Sequence, residues 1–170
     1  RCLSGVSPDF ENETRPIVRH TAAAPYDMGA DEVSGVARVG LNGGTCQYST
    51  IQQAINAAED GDAVQVAEGV YFENLTVFNK DITIAGGYDS TCTVTGTTTT
   101  RVDGSASSSR VMYVYNSPLT LRDIELAWGS GSGAGLYATS NSHVILDNAD
   151  FIDNHGTYGG GLYVSGSSII

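Results

Sequence analysis

Five acidic side chains and one arginine near the end of the chain are spaced so that they could do chemistry together. Arg122, Asp123 and Glu125 lie on one segment, and Asp147, Asp150 and Asp153 on the next. Carboxylates on neighbouring segments can divide acid and base roles at a glycosidic bond, or hold a hard divalent cation through their oxygens. A repeat of 25 residues sets Asp123 near Asn148 and Glu125 near Asp150, which allows a Glu125/Asp150 pair. Solvated acids at turns explain the same residues more plainly, and that reading is preferred. No catalytic residue is assigned and no cofactor is expected. Glu125, Asp147, Asp150 and Asp153 stand only as weak metal candidates, with Ca²⁺ the ion that such oxygens suit.

Other residue types add little chemistry. His20, His143 and His155 are far apart in sequence, lack a metal-ligand spacing and read as surface residues. Trp128 adjoins a Gly/Ser stretch, and Tyr137, Tyr158 and Tyr163 come near it by period. Such a patch can hold a sugar, although stacking within the fold accounts for it equally well. The sequence contains no nucleophile elbow, phosphate loop or dinucleotide motif.

The elements that position these residues repeat. Gly133–Tyr137 (Gly-Ala-Gly-Leu-Tyr) and Gly159–Tyr163 (Gly-Gly-Gly-Leu-Tyr) start 26 residues apart. Val111, Leu136 and Leu162 fall at matching places; so do Leu121 and Leu146, Leu126 and Phe151, and Val144 and Ile170. Three strand columns kept in phase predict an all-β fold, a right-handed parallel β-helix whose strands pair with their counterparts one coil on. Asn116, Asn141 and Asn148 fall at the turns, where Asn tolerates left-handed geometry. Ahead of the strands, Ile51, Ala54, Ile55 and Ala58 form one apolar helical face with Ser49 or Thr50 as N-cap. Solenoids cover their strand edges, so this helix is assigned as an N-terminal cap. The expected organisation is an extended segment over 1–43, the cap over 44–62, and coils over 63–170. The coils are expected to be open at their far end, with Ser168, Ile169 and Ile170 as an assembly edge.

Composition agrees with strands and turns. The 170 residues contain 21 glycines and 4 prolines, and the net charge is −11. That charge repels nucleic acid and anionic lipid, so no nucleic-acid partner is expected. No apolar run is long enough for a transmembrane helix, and no membrane insertion is expected. The opening Arg1-Cys2-Leu3 lacks Met, so a processed product or a piece of a longer chain is expected. Three cysteines, Cys2, Cys46 and Cys92, leave one unpaired or bonded elsewhere. Asn12 and Asn74 fit the N-glycosylation tripeptide, which counts only in a eukaryotic source.

The string Cys46…Thr50-Ile51-Gln52-Gln53-Ala54-Ile55, followed by Gly61-Asp62-Ala63-Val64-Gln65-Val66-Ala67-Glu68-Gly69-Val70-Tyr71, resembles the opening coils of pectin-lyase-like right-handed β-helix proteins. Ile82–Asp89, Arg101–Gly104 and the Gly-Gly-Gly-Leu-Tyr element resemble the non-catalytic bacterial surface and secreted branch, over about residues 44–170. The resemblance implies a Cys46–Cys92 disulfide. Cys2 is then expected to be unpaired or bonded to another chain. Asp9–Pro16 and Asp27–Glu32 are similar to the closing motif of that branch, here placed ahead of a cap. Tandem β-helices or a fibre repeat follow as expectations. Together these imply an extracellular or cell-surface structural or adhesive rod that self-associates end to end, with cell-surface polysaccharide as a further partner. The alternative is a polysaccharide lyase or hydrolase, or a carbohydrate-binding module. The wider superfamily includes such enzymes, and their lyases add an arginine or lysine base, here Arg122.

Overall fold

A computed structural model describes residues 35–41, 46–95 and 99–170. The strands are β1 (Val36–Val39), β2 (Ala63–Ala67), β3 (Gly69–Tyr71), β4 (Leu75–Phe78), β5 (Ile82–Tyr88), β6 (Thr100–Asp103), β7 (Met112–Tyr115), β8 (Pro118–Ala127), β9 (Leu136–Thr139), β10 (His143–Ile152), β11 (Leu162–Ser165) and β12 (Ser168–Ile169). Among the described residues one α-helix, α1 (Ile51–Ala57), lies between β1 and β2. The protein is all-β, with parallel sheets. One sheet runs β1-β2-β5-β8-β10-β12, with β3 and β6 joined to it through β8, and a second runs β4-β7-β9-β11. Parallel neighbours need long crossovers. Here the crossover from β7 to its neighbour β9 contains β8, a strand of the other sheet.

Register follows the repeat. Leu75, Met112, Leu136 and Leu162 align across the four-stranded sheet. Ile84, Leu121 and Leu146 align in the other, as do Val102, Leu126 and Phe151. These side chains form columns, and their inner members are fully buried. Two expected alignments are off by one residue. Met112, not Val111, stands opposite Leu136, because Val111 sits at the corner, where its N–H bonds to Ala134 O. Val144 pairs with Ile169, while Ile170 lies beyond the strand, 72% exposed, with its N–H on Val144 O.

β8 and β10 are long strands that each run through a corner without a break. Each passes through one residue in the left-handed region, Asp123 (φ 52°) and Asn148 (φ 54°). Side chains that can bond locally tolerate that region. The backbone therefore turns a corner without breaking the ladder. Asn116 and Asn141 take left-handed conformations, as expected, and so does Asn79. β5 runs on through Gly86–Gly87. A Cβ on Gly86 would lie 2.3 Å from Asp123 O and 2.7 Å from Thr100 Cβ, so only glycine lets these segments approach.

Helix α1 covers the edge of β4. Thr50 caps it by accepting from Gln53 N–H, and Ile51, Ala54 and Ile55 face the core. The Gln52 carboxamide replaces a neighbouring strand: its Nε2 donates to Thr76 O (3.1 Å) and its Oε1 accepts from Thr76 N–H (2.7 Å). Glu73 accepts from the N–H groups of Ile51 and Gln52 at the positive end of the helix. Lys80 Nζ donates to the carbonyls of Ile55, Asn56 and Ala58 at the negative end. A strand of the stretch expected as an extended segment, β1, pairs in parallel with β2.

Two stability measurements check this packing. Charge-assisted hydrogen bonds to otherwise orphaned carbonyls contribute about 1–3 kcal/mol, so Lys80→Met should lower the unfolding free energy by that amount in urea titration. Overpacking at Gly86→Ala should cost about 1–3 kcal/mol by the same measurement.

Candidate functional site

The structure places the acidic row on the outer side of β8 and β10. Arg101, Glu125 and Asp150 are in register, as are Arg122 and Asp147. Glu125 is buried and forms an ion pair with Arg101 through Oε1 and Nε. Arg122 Nε meets Asp147 Oδ2 at 2.8 Å, with both side chains more than half exposed. An exposed pair of that kind contributes at most about 1 kcal/mol. Asn148 Nδ2 donates to Asp123 Oδ1 at 2.8 Å, as the period implies. Asp153 takes a left-handed turn, and its carbonyl receives His155 Nδ1.

Glu125 and Asp147 thus meet arginines, and Asp123 an amide. Glu125 and Asp150 do stand opposite, but Arg101 lies on the other side of Glu125. Among the described residues no three His, Cys, Asp or Glu side chains come together to hold a metal ion. His143 Nδ1 contacts Ser168 Oγ at 2.6 Å, at the last strand. Cys2, Asn12 and His20 lie outside the described residues.

Asn74 is a structural residue. Its Nδ2 donates to Arg110 O (2.8 Å) and Gly104 O (3.4 Å), and its Oδ1 accepts from Ser107 Oγ (2.8 Å). The amide nitrogen that a glycan would take is already committed to the fold.

Cys46 and Cys92 form the disulfide, with Cα atoms 5.8 Å apart. It ties the segment after β1 to the loop between β5 and β6. Cys92 is fully buried, and Arg38 Nε donates to its carbonyl. Asp89 shapes that loop: its carboxylate accepts from the Thr91 hydroxyl and from the Thr93 and Val94 N–H groups, which holds its pKa below the usual range. Among the described residues no helix is long and apolar enough to cross a membrane.

Three ladders dominate the surface between repeats, and the sequence reading missed the first two. Ser117 Oγ accepts from Lys80 N–H, Ser142 Oγ from Ser117 N–H, and Ser167 Oγ from Ser142 N–H, at 3.1–3.3 Å. Each hydroxyl donates to a carbonyl of its own row: Tyr115, Thr139 and Ser165. The signal was a serine every 25 residues after an Asn or Gly. Asn154 is a second clip, accepting from Gly129 N–H and donating to Leu126 O, each at 2.8 Å. The third ladder is aromatic. Tyr113, Tyr137 and Tyr163 stack with centroids 5.6 and 5.2 Å apart, Phe78 stacks on Tyr115 at 4.5 Å, and Arg110 lies over Tyr137 and Tyr113. Tyr137 and Tyr163 were expected to come together; they do so by stacking on each other, which covers one face of each ring.

These ladders define a class, a row-repeating parallel-sheet protein stapled by the Cys46–Cys92 disulfide. Comparison with protein-family models, curated proteins and solved structures gives no match for the chain.

The disulfide closes a sequence separation of 46 residues. Loop-closure entropy for that length is about 4 kcal/mol, of which native disulfides typically deliver about 2–4. Replacing both cysteines by serine should lower the unfolding free energy by that amount. A second check uses pH. Burial first, and the Glu73 charge second, push the Tyr71 phenol from 10.0 up to about 12. A raised pKa means stability that is present below the ordinary value and lost as pH rises through the folded one. Unfolding free energy should therefore fall between pH 10 and 12, and Tyr71→Phe should flatten that fall.

Proposed function

We propose that the chain is an extracellular or cell-surface structural protein: a right-handed parallel β-helix of the pectin-lyase-like kind that works as a stiff rod and self-associates end to end. The observation that carries this reading is the self-complementary row. Each row offers the next the same parallel edge, apolar columns, serine N–H and tyrosine ring. The row of β11 and β12 presents the same groups: Leu162 and Ile169 are partly buried, and Val164 is 37% exposed. Edges of this kind pair with further strands. The disulfide supports an oxidising compartment. A cation role for Glu125, Asp147, Asp150 and Asp153 is not part of this reading, because Arg101 and Arg122 already neutralise two of them.

The alternative, a carbohydrate-binding module or a polysaccharide lyase or hydrolase, is favoured by Trp128 and Tyr158, which are 47% and 67% exposed. Incubation with polygalacturonate and related polymers, with and without Ca²⁺, tests it; retention or product would support it.

Electron microscopy and light scattering across a concentration series test the rod. The expected result is rods that lengthen with concentration, and their loss in Val164→Lys, which puts a charge at the end of an apolar column. Monodisperse short particles at all concentrations, or unchanged assembly in Val164→Lys, would contradict it.

A further inference from the structure

The tyrosine ladder is built for a covalent reaction that the proposed rod does not require. Tyr137 and Tyr163 occupy opposite positions on β9 and β11, and their backbones are held in register by the parallel ladder. Their rings stack at 5.2 Å with planes 15° apart, and both side chains are only partly buried. Two phenols fixed this way are at high effective concentration for each other. The neighbouring pair differs. Tyr113 and Tyr137 are 5.6 Å apart, and the Arg110 guanidinium lies 4.4 Å from the centre of the Tyr137 ring and 5.3 Å from that of Tyr113. That cation lies against both rings of this pair but against only one ring of the Tyr137–Tyr163 pair, so it crowds the approach of Tyr113 to Tyr137 more than that of Tyr137 to Tyr163.

We propose that Tyr137 and Tyr163 form a dityrosine cross-link site, the substrate of a one-electron oxidant of the haem-peroxidase class working with hydrogen peroxide. Each phenol gives one electron and one proton to the oxidant. The two tyrosyl radicals join through ring carbons ortho to oxygen. Each joined carbon then passes its proton to its own oxygen, which restores both phenols. The two electrons and two protons reduce one hydrogen peroxide to two waters. The product bonds β9 covalently to β11 and locks the last two rows together, whether or not the rods assemble.

Reactivity set by exposure alone would give a different product. Tyr158 is 67% exposed and would couple between molecules. The test is treatment of dilute protein with a plant peroxidase and hydrogen peroxide. Dityrosine fluorescence is read on the monomer fraction, and cross-linked peptides are mapped by mass spectrometry. The expected product joins Tyr137 to Tyr163 within one chain, in a yield independent of protein concentration. It should be lost in Tyr163→Phe and retained in Tyr158→Phe, with both variants checked for folding by circular dichroism. Arg110→Gln should add a Tyr113–Tyr137 product. An absence of dityrosine in the monomer, or cross-links only between chains through Tyr158, would overturn the proposal.

Discussion

Each row's backbone hydrogen bonds are completed only by the row beside it, in register and in parallel. This constraint governs the rest of the structure. An unpaired buried backbone group costs about as much as a lost hydrogen bond or more, so a row cannot slip without forfeiting several at once. A slip of one residue would also turn the apolar columns outward. Leu121 therefore has to meet Leu146, and Leu126 has to meet Phe151, whatever the loops between them do. The loops comply by changing length: Met112 to Leu136 and Leu136 to Leu162 differ by two residues, yet both pairs align.

Corners are where that constraint is hardest to meet, since the chain must change direction without orphaning its polar groups. The protein meets it in two ways. Left-handed residues at Asn79, Asn116, Asp123, Asn141 and Asn148 turn the chain. Small polar side chains then take over the corner hydrogen bonds. Ser117 and Ser142 are almost fully buried, yet each accepts from an N–H of the preceding row and donates to a carbonyl of its own. At the helix end the same need is met by a carboxamide, where Gln52 gives β4 the donor and acceptor of a missing strand. The three devices are chemically different and serve one requirement.

Much of the strand arrangement was legible because apolar residues recur at a nearly fixed interval. The column members Leu121, Leu146, Leu126 and Phe151 could be placed from spacing alone. Val111 was misplaced because a buried corner valine looks the same in sequence as a strand valine. The need for glycine at 86 was not legible, because its close approach to Asp123 and Thr100 is a tertiary fact. The acidic row was legible as a row but not as chemistry. Spacing puts Glu125 opposite Asp150, but only the fold shows Arg101, from a more distant segment, against Glu125. The serine ladder was visible as a 25-residue interval, but its meaning depends on knowing that those hydroxyls turn inward.

Register between rows is the central claim, and engineered cysteines test it most directly. Thr120 and Ile145 are opposite each other on β8 and β10. In a Cys2→Ser background, Thr120→Cys with Ile145→Cys should close a disulfide under mild oxidation. Thr120→Cys with His143→Cys or Asp147→Cys, each displaced by one side-chain period on the same face, should not. Equal cross-linking in all three, or a preference for a displaced pair, would contradict the account.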